Sequence, residues 1–141
     1  MQAEYEFLNL CNCCLTKEKI HYLKEKAKFL EKKTFRYNLH ENFEDPLQEM
    51  IICTYLKKDN QHRHKNKDEV LHIIEGELMV KIFNEANQLE ETLTLTPGTS
   101  HCFVRIKKGS WHSTVPVGEF AIFHEVAQGP FQSEDIEYYD Q

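Results

Sequence analysis

The chain has 141 residues, 40% of them hydrophobic and 28% charged, and a net charge of −6. That length suits a single domain whose core needs no disulfide staples. The acidic balance argues against nucleic acid or an anionic membrane surface as the main partner, since both call for a basic face, and no apolar run approaches the ~20 residues of a membrane-spanning helix.

In chain order, the start Met1-Gln2-Ala3-Glu4-Tyr5-Glu6 is acidic and lacks the apolar stretch of a secretory signal, so a cytoplasmic location is expected. The five cysteines agree with this. They are odd in number, and Cys11, Cys13 and Cys14 crowd together rather than spreading as a disulfide framework would. No second pair completes a zinc site, so they read as reduced, partly buried thiols. Thr16 to Lys33 reads as a helix: Thr16 caps it, Ile20, Leu23, Ala27 and Leu30 form one apolar stripe, and the charged residues form a solvated face. Phe35 to His40 leads into a turn at Asp45-Pro46.

Beyond Gln48 the pattern shortens to strands: Met50 to Leu56, Val70 to Ile74, Leu78 to Phe83, Leu89 to Leu95, Cys102 to Ile106 and Phe120 to Ala127. Turn signals at Lys58-Asp59-Asn60, Glu75-Gly76, Asn84 to Asn87, Pro97-Gly98, Lys108-Gly109 and Pro116 to Gly118 separate them. Many short strands at this spacing predict an all-β sandwich or barrel. The tail, Glu134 to Gln141, is acidic and aromatic and is expected to pack at an edge or fray.

The chemistry concentrates in two pieces. His62 and His64 lie two apart, so on a strand both side chains face one way. Glu69 joins them after a short turn, and Gly109-Ser110-Trp111-His112 supplies a third imidazole from another strand. Three imidazoles and a carboxylate form a mixed N/O ligand set for one divalent transition metal, whether iron, manganese, nickel, zinc or cobalt, with coordination positions left open. His101, in Gly98-Thr99-Ser100-His101, rivals His112 as the fourth ligand. His72 stands an odd offset from Glu69 and should face away from the metal, as should Arg63 between its two histidines.

His62-x-His64-x4-Glu69-x6-Gly76 resembles the first motif of the cupin superfamily, and Lys107-Lys108-Gly109-Ser110-Trp111-His112 resembles the second, with Lys107 where proline is usual. Arg36 to His40, Asp45 to Gln48, Phe83-Asn84 and Glu125 to Phe131 narrow the resemblance to the WbuC family of cupin metalloproteins, associated with O-antigen and surface-polysaccharide gene clusters. The resemblance implies a mainly β, single-domain cupin, a double-stranded β-helix or jelly-roll-like barrel with an N-terminal α-helix. Its expected parts are a helix and connection over 1–47, a barrel over 48–133 and a tail over 134–141. It also implies a homodimer, to which Tyr5, Phe7 and Leu8 are candidates to contribute.

Several residues carry two readings. Asn38, His40 and Gln48 either brace the helix–barrel connection or line the cavity mouth. Arg36 either makes a surface ion pair or takes an anionic group by its fork. Glu125 is either a strand-edge carboxylate or a pocket acid or base, and Trp111 either a wall aromatic or a stacking surface for a sugar. The function expected is action on a sugar or sugar-nucleotide intermediate of surface-polysaccharide synthesis, isomerase- or epimerase-like, with His40 or Glu125 moving the proton. A metal-dependent dioxygenase and a non-catalytic metal or small-ligand binding module are the alternatives.

Overall fold

The computed structural model describes residues 3–8 and 14–139, so the readings of Cys11 and Cys13 lie outside the described residues. Helix α1 spans Lys17–Phe29; Thr16 Oγ1 caps it by accepting from the Lys19 amide at 3.2 Å. The helix stops four residues short of Lys33. Leu30 turns to extended backbone to bury its side chain, and Lys33 takes a positive φ of 59°.

Nine strands follow the order β1 (Tyr5–Phe7), β2 (Thr34–Asn38), β3 (Leu47–Thr54), β4 (His62–His64), β5 (Glu69–Phe83), β6 (Leu89–Leu95), β7 (Phe103–Ile106), β8 (Trp111–Gln128) and β9 (Ile136–Tyr138). Two strands are much longer than the sequence pattern predicts. β5 runs through Glu75-Gly76, and β8 runs through Pro116 to Gly118. Each serves two sheets. The later half of β5 and the earlier half of β8 pair with each other and carry β6 on one side and β4 with β9 on the other. The earlier half of β5 and the later half of β8 pair again, flanked by β7 and by β3, β2 and β1.

The bend between the halves falls at the register shifts around Gly76. There φ is +75°, and an added Cβ would run into the Phe120 carbonyl oxygen, so glycine is required by both backbone and space. The result is a curled double sheet of jelly-roll form, mainly β with one α-helix among the described residues, as the sequence predicts.

Alternation sorts the side chains. Phe35 and Tyr37 on β2, and Ile51 and Cys53 on β3, pack outward beneath Leu23 and Ala27 of α1 and Leu30 just after it. Ile52, Leu71, Ile73, Leu78, Val80, Leu95, Ile106, Ala121 and Phe123 fill the barrel interior. Each such side chain contributes about 1.5–3 kcal/mol on burial. The helix therefore closes one outer face and leaves the barrel mouth open.

Candidate metal centre and its cavity

His62 and His112 are direct cross-strand partners on β4 and β8, and their rings lie 4.4 Å apart. His64 sits two residues along β4, and Glu69 opens β5. One ligating atom from each of these four residues lies within 4.8 Å of all the others. The turn that delivers His112 is tied to the first motif: Gly109, at φ +82°, donates its amide to the His64 carbonyl at 2.7 Å. His101 is exposed, its amide spent on Thr99 Oγ1, and stands outside the cluster.

The imidazole tautomers follow from what each ring nitrogen meets. His62 Nδ1 faces the Asn60 carbonyl at 2.8 Å and His112 Nδ1 the Ser110 carbonyl at 2.9 Å. A carbonyl accepts, so both Nδ1 atoms carry protons. His64 Nδ1 faces Asp135 Oδ2 at 3.4 Å. The Nε2 atoms of His62 and His112 are thereby left with lone pairs.

The rings crowd a carboxylate. His64 Nε2 lies 3.2 Å from Glu69 Oε2, and His112 Nε2 lies 3.0 Å from Glu69 Oε1. Despite that proximity, Glu69 Oε1 is buried without a hydrogen-bond partner. Contacts of this kind need a cation between the two groups, a proton or a metal ion, and the donor set fits a divalent metal.

The electrostatics agree. Burial pushes the Glu69 carboxyl up, but the neighbouring His112 and His64 overcome it and hold Glu69 well below the usual range. Burial, then His112, lowers His62 to about 4, so its ring is neutral and available as a ligand. For His64 burial acts downward, and the Glu69 contact reverses it to a net rise.

Asp135 is the residue sequence reading missed. It precedes β9, is 4% exposed, and accepts from the Asn66 amide at 2.7 Å through Oδ1 while Oδ2 faces His64. The tail therefore braces a candidate ligand. Its signal in the sequence was faint: one acid among several, made specific only when β9 pairs with β4.

The cluster opens into a cavity of about 460 Å³. Arg36, Asn38, His40, Gln48 and Glu125 all line it, together with Met50, Ile52 and Phe123. Gln48 spends its side-chain amide on the Asp45 carbonyl at 2.8 Å, which fixes the turn. Glu125 is pushed up to about 8 by burial, then by Glu69, against the pull of Arg36. Trp111 does not line the cavity. Its ring lies under the Arg63 guanidinium, 4.5 Å away, edge-on to Tyr139, and its Nε1 reaches Glu85 at 3.3 Å. One position before His112 on a strand, it has to face the other way. His72 is exposed, as the odd offset predicts, and Arg63 pairs with Glu137 and Glu85. His124 faces Glu49 at 2.8 Å.

Sheet architecture, motif spacing and the four-residue cluster together define a cupin fold around a candidate metal site. Solved structures bear out the fold. Protein SO0799 from Shewanella oneidensis is 16% identical, with a TM-score of 0.64 over 83% of this chain and 84% of that one. KdgF from a Halomonas species is 15% identical, with a TM-score of 0.56 over 75% of this chain and 87% of that one. An oxalate decarboxylase from Bacillus subtilis is 20% identical, with a TM-score of 0.56 over 74% of this chain but only 27% of its own length. Curated proteins yield no match. The chain belongs to the family described as Domain of unknown function (DUF6016), whose profile matches residues 15–95. No helix among the described residues is long and apolar enough to cross a membrane.

Proposed function

We propose that this protein is a divalent-metal-dependent cupin that acts on a sugar or sugar-nucleotide intermediate of surface-polysaccharide synthesis, as an isomerase or epimerase. The observation that carries the metal part is the gathering of the His62, His64 and His112 rings around the buried Glu69 carboxylate, whose Oε1 has no hydrogen-bond partner. His62, His64, Glu69 and His112 would hold the ion, which when bound supplies Lewis-acid polarisation of a carbonyl or hydroxyl oxygen.

The chain's own residues do the rest. Glu125 lines the cavity beside Glu69 and is the carboxyl placed to move a proton. His40 Nδ1 is held between the Glu49 amide at 3.0 Å and the Glu49 carbonyl at 3.1 Å, which fixes the ring and leaves Nε2 as the nitrogen for a ligand. The Ile52, Met50 and Phe123 side chains exclude water from one wall. The sugar part is supported by the resemblance to the WbuC family and by the polar side chains of Arg36, Asn38, His40 and Glu125 within the cavity lining.

Incubating the metal-loaded protein in D2O with nucleotide sugars and keto sugars, with proton NMR as readout, tests the reaction. Deuterium should enter a carbon-bound position, and Glu125→Gln should slow the exchange by about 100-fold or more. Oxygen uptake without exchange would contradict the isomerase reading and favour the dioxygenase.

A further inference from the structure

Strand β2 and its extension alternate strictly. Phe35, Tyr37 and Leu39 pack toward the helix, whereas Arg36, Asn38 and His40 line the cavity. Arg36 Nε, Asn38 Oδ1 and His40 Nε2 are each buried without a hydrogen-bond partner. Asn38 is 2% exposed and His40 7% exposed, so solvent does not satisfy them. Arg36 makes no ion pair among the described residues.

Buried polar groups without partners are costly and uncommon. Three of them at successive same-face positions, each about 7 Å from the next along the strand, make a wall built for something else to complete. The wall carries a guanidinium N–H, then a carbonyl oxygen, then an imidazole Nε2.

We propose that β2 reads the ligand and that the ligand is a small polyhydroxy carboxylic acid. Arg36 takes the carboxylate through its fork, Asn38 Oδ1 accepts from a hydroxyl, and His40 Nε2 pairs with a further hydroxyl. The assignment rests on reading this cavity as the substrate site. A carboxylate is favoured over a phosphoryl group because Arg36 is the one cation beside Asn38 and His40 on this strand, and because Glu69 and Glu125 offset Lys58 and Lys67 elsewhere in the lining. A neutral sugar would leave Arg36 unmatched.

Calorimetric titration decides it with D-gluconate beside D-glucitol and D-glycerate beside glycerol, pairs that differ only by carboxylate against hydroxymethyl. Inorganic phosphate is the third arm. At least one acid should bind about tenfold tighter than its alcohol. Arg36→Gln should abolish that preference, and Arg36→Lys should restore only part of it, because lysine lacks the fork. Metal content should be the same in both variants as in the wild type.

Acids that bind no better than their alcohols, or equally well in Arg36→Gln, overturn the inference. Arg36-dependent binding of phosphate without either acid overturns it in favour of a phosphoryl ligand. The two readings fail separately: full metal content with no acid preference sinks this one alone, whereas an Arg36-dependent preference in a protein that takes up no metal sinks the metal reading alone.

Discussion

Glu69 is the residue on which the site turns, because two imidazole Nε2 atoms face its two oxygens. Removing it leaves histidines with nothing negative between them. Asp135 acts one step further out. Asp135→Asn keeps the size of the side chain but weakens the acceptor for His64 Nδ1, and should cost about 10–100-fold in metal affinity, measured by competition with a chromogenic chelator. Unchanged affinity would show that Asp135 only closes the Asn66 turn. Gly76→Ala should destabilise the fold by about 1–3 kcal/mol, since the positive φ and the Phe120 carbonyl both oppose a Cβ; urea unfolding gives the number. A variant as stable as the wild type would contradict the account of the β5 bend.

At the scale of elements, the helix, the six central strand segments and the ligand spacing were legible because each rests on local periodicity. The extent of β5 and β8 was not. Gly76 and Pro116 read as turn residues, but in a curled double sheet they mark places where one strand changes partners. β1 and β9 were missed for a related reason, since three-residue strands are specified by the partner they find rather than by their own pattern, and β2 was not predicted as a strand either. The same limit hid Asp135 and left Trp111 open. The alternation along β2, by contrast, is visible in Arg36-Tyr37-Asn38-Leu39-His40, although only the cavity shows which face matters. Helix α1 sits on the outer face, away from the ligands, so Leu23→Ala should cost about 2–5 kcal/mol by urea unfolding without changing metal content. A loss of metal in that variant would mean that helix packing and site geometry are coupled.

At the scale of the molecule, several acidic groups are buried in protonated form. Burial pushes Cys53 up to about 12 from 9.0, and Tyr37 and Tyr55 to about 12 from 10.0. A raised folded-state pKa in such a group gives stability that is present below the unfolded value and lost as pH climbs toward the folded one. Stability should therefore hold to about pH 9 and fall between about 9 and 12, with a shallower fall in Cys53→Ala. Urea midpoints across that range give the slopes, and identical slopes would show that Cys53 is not the source.

The central claim is that His62, His64, Glu69 and His112 hold one divalent metal. Elemental analysis of untagged protein by inductively coupled plasma mass spectrometry, beside Glu69→Ala and His64→Ala, tests it directly. About one transition-metal ion per chain in the wild type and almost none in either variant is the expected result. Full metal content in the folded variants, or none in wild type even after reconstitution with iron, manganese, nickel, zinc and cobalt, would contradict it.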